Sequence, residues 1–122
     1  MSASRHQHLI GRSVGDGHCV ALVREVAGLP PTSQWRRGVR VRGGDLPEGR
    51  PIATFDANGR YANATDGTSH AAILLAEITN GLRVVDQWRG QPAHVRIIRF
   101  QGGRVLPADD GDVYHAIEVA DA

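Results

Sequence analysis

The chain has 122 residues, with fourteen Lys or Arg against thirteen Asp or Glu; a net charge of +1 speaks against a general polyanion binder and against nucleic acid as a partner. Its length suits one domain over residues 1–122, and 41% hydrophobic content is ordinary for a soluble globular protein. No apolar run approaches the ~20 residues of a membrane span, and the polar start MSASRHQHLIGRS lacks a signal-peptide core, so synthesis in the cytoplasm without export by that route is expected.

Residues 1–12 are expected to be loose, with His6 and His8 solvated. Asp16, between Gly15 and Gly17, is a candidate N-cap for a helix over CVALVREVA, which Gly28 would stop. Val20, Ala21, Leu22, Val23 and Val26 fall on nearly every side of it, which predicts a helix buried over most of its surface. The paired prolines of LPPTSQWRRG exclude regular helix. Arg36, Arg37, Arg40 and Arg42 beside Trp35 read as a solvated loop, with the carboxylates of an acidic peptide as their alternative partners. Strands are expected at 51–55, 70–78, 82–88, 95–100 and 114–119, separated by Asn58-Gly59, Thr79-Asn80-Gly81, Gln91-Pro92 and Gly102-Gly103. The acidic DDGD at 109–112 reads as a solvated turn. One helix followed by four or five strands with short connections predicts an α+β fold, an N-terminal buried helix packed on an antiparallel sheet.

The single cysteine, Cys19, precludes an internal disulfide. At a helix N-terminus it would meet the positive end of the macrodipole and unpaired N–H groups, which favour a thiolate and can hold an oxyanion. Position alone leaves a buried structural cysteine as the alternative. A nucleophile needs a base, and the base an orienting group. His18 adjoins Cys19 and would not face it on a helix, His94 follows Pro92 in a turn, and His115 opens a strand. His70 differs: it begins the most apolar strand, just after the polar loop DANGRYANATDGTS, with small Ala72 and Ala76 on its face. On the next strand Asp86 interrupts the apolar run RVVDQW, and a histidine on the adjacent strand is a suitable partner for it. DANGRY begins like a calcium loop, but Arg60 occupies a ligand position. Cys19 with His6, His8 and His18 lacks zinc-ligand spacing, so neither a metal nor another cofactor is expected.

Cys19, His70 and Asp86 stand in the order used by papain-like cysteine hydrolases, and HAAILLAEITNGLRVVDQWRG resembles the papain pattern of His-Ala, a hairpin, then Asn-Ser-Trp-Gly. The chain also resembles bacterial CHAP and NlpC-type amidases and endopeptidases of peptidoglycan, whose Gly-Gln-Cys motif is similar to Gly17-His18-Cys19. The similarity is greatest to small single-domain Gram-negative members, some associated with type VI secretion. With TSQWRRG and ATFDANGRY it runs from about residue 11 to 100. The resemblance implies a cysteine hydrolase, amidase or endopeptidase, of peptide-type amide bonds in peptidoglycan stem peptides. In it Cys19 is the nucleophile, His70 the base and later acid, and Asp86 the orienting group. It further implies an interbacterial toxin effector, delivered by secretion machinery or released at lysis to the periplasm or cell wall, with a cognate immunity protein as partner. Trp35, Tyr61 and Trp88 are the expected substrate contacts, and the loop from Asp56 to Ser69 the expected wall of the cleft. His18 departs from the usual glutamine, and the glutamine that completes the papain oxyanion hole has no evident counterpart. A catalytically inactive binding, immunity or specificity module of the same fold is the alternative.

Register constrains this site. A two-residue Asn80-Gly81 turn puts Asp86 on the wrong sheet face, and a three-residue turn leaves it opposite Leu74, roughly 13 Å from His70. Catalysis by all three residues therefore predicts a longer connection or a bulge near 76–81, with the Asp86 carboxylate on a His70 ring nitrogen.

Overall fold

Gly28 ends the helix because it alone accepts the left-handed conformation there without strain. In the computed structural model, which describes residues 7–120, helix α1 spans Cys19–Ala27, and Gly28 at φ 67° returns its N–H to the Arg24 carbonyl. Leu22 and Val23 are fully buried, Cys19, Val20 and Val26 pack partly buried beside them, and Arg24 and Glu25 are in solvent, so the helix is less deeply buried than expected. His18, not Asp16, is the N-cap. The Asp16 carboxylate instead accepts the His18 N–H at 3.0 Å and shapes the turn that leads into the helix.

The α+β expectation holds, with six strands rather than four or five in one antiparallel sheet: β1 Trp35–Arg40, β2 Pro51–Ala53, β3 Ala71–Ile78, β4 Gly81–Trp88, β5 Gln91–Arg99 and β6 His115–Val119. Their spatial order is β1-β6-β2-β3-β4-β5. The added strand is β1, made from the arginine-rich segment that reads as a loop. Its arginine heads find local acceptors, Arg36 on the Ser33 and Trp35 carbonyls and Arg37 on that of Asp56, which lets an edge strand carry so much charge. Strand β5 starts at Gln91, so His94 lies within a strand and not in a turn.

Two apolar layers flank the sheet. On one face Leu22 and Val23 of α1 pack with Trp35, Ala71, Ile73, Val85 and Ala93; on the other Ile52, Leu74, Leu82, Val84 and Ile98 gather around Tyr114. Leu9 joins the first layer, and Gly11 and Arg12 exchange backbone bonds with Ala93, so residues 7–12 are tied to β5 rather than loose. Residues 1–6, including His6, lie outside the described residues. The DDGD segment is likewise corrected. Asp110 is fully buried and accepts the N–H groups of Gln101, Gly103 and Asp112, while Asp112 binds Arg40 and Arg42, making the segment a staple.

The β3–β4 hairpin decides what Asp86 can reach. Its turn is tight, pairing Ile78 with Gly81 across Thr79 and Asn80, and by itself would set Asp86 on the face of Ile73. A bulge at Leu75 shifts the pairing by one residue, to Leu74 with Val84 and Ile73 with Val85. Continuing that register puts Asp86 opposite Ala72, two residues from His70. The expected irregularity exists, one residue ahead of the predicted stretch.

Candidate active site

Gln87 fixes the position of the helix start. Its side chain is fully buried on β4, accepts the Val14 N–H at 2.9 Å, and donates to the carbonyls of Val14 and His18 at 2.9 and 2.8 Å. The loop ending at Cys19 is thereby clamped to the sheet, with Cys19 as the first helical residue and the N-cap side chain of His18 making no capping hydrogen bond. Both donor hydrogens of Gln87 are spent in this clamp, so it is not the missing oxyanion glutamine.

His70 sits one residue ahead of β3, held by its N–H on the Thr54 hydroxyl and its carbonyl on the Thr54 N–H, each at 3.0 Å. Its Nε2 lies 2.7 Å from Asp86 Oδ2, which leaves Nδ1 for the Cys19 thiol. Burial pulls the His70 pKa down, but the Asp86 carboxylate and the Cys19 sulfur outweigh it and raise the pKa to about 9. Burial pushes the Cys19 thiol up, while His70, the Ala71 backbone amide and the Tyr61 hydroxyl bring it below its ordinary value. Sulfur and imidazole thus favour the thiolate–imidazolium form. Tyr61 Oη lies 3.7 Å from the sulfur, and burial plus the thiolate charge lift its pKa far above the ordinary phenol, so the hydroxyl stays a donor.

Asp86 is fully buried and has more partners than the sequence reveals. Arg96 Nε donates to Oδ2 at 2.8 Å. His94 Nε2 comes within 3.0 Å of Oδ1 without the alignment of a hydrogen bond. Burial raises the Asp86 pKa, but His70 and Arg96 together hold it below the usual carboxylate value. Arg96 and His94 were invisible as site residues because nothing local links them to Asp86; the β4–β5 register does, setting His94 directly across from it. Trp88 roofs the group, its ring 5.2 Å from His94, 6.3 Å from His70 and 5.0 Å from the Arg96 guanidinium.

A cleft of about 300 Å³ opens over Cys19, lined by Tyr61, Asn63, Thr65, Ser69, Trp88 and Arg89 among others. The 56–69 loop is thus one of its walls, and Trp88, 41% exposed, stands at its mouth. Trp35 is a correction. It is 0% exposed, its Nε1 donates to the Pro30 carbonyl at 3.0 Å, and its ring packs 4.9 Å from Tyr61. It supports Tyr61 from behind and offers substrate no surface. A larger hollow of about 830 Å³ lies between Val41, Leu46, Glu77 and Phe100, but holds no nucleophile, and its Arg42 and Glu77 are engaged with Asp112 and the Gly43 N–H. Among the described residues no group of His, Cys, Asp and Glu is arranged to hold a metal ion.

Residues 1–117 match a family model described as domesticated amidase effector 2. A Salmonella typhi protein named type VI secretion amidase effector 2 is 32% identical over 119 residues, covering 86% of this chain and 88% of that protein. An Ixodes scapularis protein named domesticated amidase effector 2 is 36% identical over 107 residues, covering 83% and 70%. The solved structure of a type 6 secretion amidase effector 2 aligns over 97% of this chain and 94% of its own, with a TM-score of 0.80 and 28% identity.

Proposed function

The chain belongs to the domesticated amidase effector 2 family, and we propose that it acts as a single-domain cysteine amidase on peptide-type amide bonds of peptidoglycan stem peptides. One observation carries the reading: a cysteine at a helix N-terminus, open to a cleft and backed by the buried His70–Asp86 pair at 2.7 Å. The Cys19 thiolate attacks the scissile carbonyl carbon while the Cys19 N–H and the Tyr61 hydroxyl donate to the developing oxyanion. The His70 imidazolium gives its proton to the leaving amine, and a thioester remains. The neutral ring then takes a proton from water, whose oxygen attacks the thioester; the acid leaves and the ion pair is restored. Asp86 holds the ring through both steps, and Trp88 and Tyr61 touch the substrate.

An accessible cysteine at a helix start with the His70–Asp86 pair behind it weighs against an inactive binding module. The Salmonella typhi relative is named a type VI secretion effector. By that likeness this chain is an interbacterial toxin, carried by secretion machinery to act in the periplasm or cell wall and countered by a cognate immunity protein. The test is digestion of purified sacculi with mass spectrometry of the products. The wild-type chain releases stem-peptide fragments with new amine termini, and Cys19→Ala folds with unchanged Tm but releases none. Hydrolysis by Cys19→Ala, or alkylation of Cys19 by iodoacetamide only after denaturation, overturns the assignment.

A further inference from the structure

The arginines most conspicuous in the sequence are already engaged. Arg36 and Arg37 donate to backbone carbonyls, Arg40 and Arg42 to Asp112, and Arg96 to Asp86. Arg89 is not. It lines the Cys19 cleft, and among the described residues it has no hydrogen bond or ion pair. It is the only arginine in that lining, which contains no Asp or Glu to offset it.

Its placement is built. Arg89 and Gly90 form the turn between Trp88 and Gln91, with Gly90 at φ 91°. The methylene stem then lies along the loop that carries the nucleophile, where a Cβ on Gly17 would stand 3.3 Å from Arg89 Cδ. A bare glycine two residues ahead of Cys19 thus lets the stem pass to the cleft. A second recess of about 390 Å³ shares His18, Asn63 and Thr65 with the first and is lined as well by Asp16 and Arg24, so the hollow extends beyond the cysteine's own cleft. Arg89 is not what stabilises the thiolate, since His70, Ala71 and Tyr61 account for that.

An exposed guanidinium without a counter-ion, on the wall of the Cys19 cleft whose own lining holds no acid, fits an anionic group on the substrate. We propose that Arg89 is the specificity residue of this cleft and grips, through paired N–H donors, a free carboxylate of the peptide close to the scissile amide. The inference rests on the amidase reading of the Cys19 site. Stem peptides with that carboxylate free are then preferred over the same peptides carrying a carboxamide.

The experiment uses soluble muropeptides released from sacculi, native or with their carboxylates converted to amides by carbodiimide and ammonia. Wild-type enzyme is expected to favour the native form by about 10- to 100-fold in kcat/KM, mainly through KM. In Arg89→Gln that ratio falls to near one, and Arg89→Lys restores part of it as a charge without the fork. Equal hydrolysis of both forms by the wild type, or an unchanged ratio in Arg89→Gln, overturns the proposal. Calorimetric binding of both forms to Cys19→Ala, with and without Arg89→Gln, gives the same discrimination without turnover. Failure of the amidase reading shows separately, as Cys19→Ala retaining hydrolysis, while the binding ratio still decides the role of Arg89.

Discussion

Replacing Asp86 by Asn preserves the volume of the side chain and removes its charge, and the consequence should appear at a sulfur it does not touch. The rise of His70 from 6.5 to about 9 corresponds to about 3 kcal/mol in favour of the imidazolium. The hydrogen bond to Asp86 is the largest source of that rise and Cys19 the next, with burial opposing both. Without the carboxylate, burial still acts against the charged ring, and the Arg96 cation loses its counter-ion beside it. The His70 pKa should therefore fall by about 1–2 units, and with it the main influence that lowers the Cys19 thiol. Iodoacetamide rates measured against pH read this directly. In the wild type, whose thiol is held below its ordinary value, the rate should stay high to lower pH than for an unperturbed cysteine. In Asp86→Asn the rate at pH 7 should drop about 10- to 100-fold and recover only as the thiol ionises in its ordinary range, near 8.5 and above. A His70 titration by NMR should move down in parallel. A variant that folds and keeps the wild-type alkylation profile would refute the claim that Asp86 sustains the ion pair.

Trp35→Ala should lower stability by about 3–5 kcal/mol, or about 12–20 °C in Tm for a chain of this size, because a fully buried ring is lost from behind Tyr61. Near-normal Tm with a raised KM would return Trp35 to the substrate surface. Tyr61→Phe should reduce kcat by about 100-fold while leaving Cys19 alkylation near wild type, since the hydroxyl is the least of the influences on the thiol; an effect on KM alone would remove it from the oxyanion site.

Short-range signals in the sequence determined the elements. Gly28 stops the helix, apolar runs between turn residues mark five of the six strands, and Cys19, His70 and Asp86 stand in the order of a papain-like hydrolase. Caps, turns and apolar runs are properties of residues within a few positions of one another, and the order of three residue types along the chain is itself linear, so a linear reading reaches both. Tertiary structure alone decided the rest. A bulge at Leu75 turned Asp86 toward His70, and register across β4 and β5 brought His94 and Arg96 to the same carboxylate. Trp35 is expected among the substrate contacts, yet strand β1 turns its ring into the core and leaves the arginine heads to find carbonyls and acids elsewhere. Whether an arginine is a staple or a free cation depends on acceptors brought from distant parts of the chain: Arg42 meets Asp112 across seventy residues, and Arg89 meets none. Pairing register and burial are set by contacts between remote segments, and no local pattern encodes them.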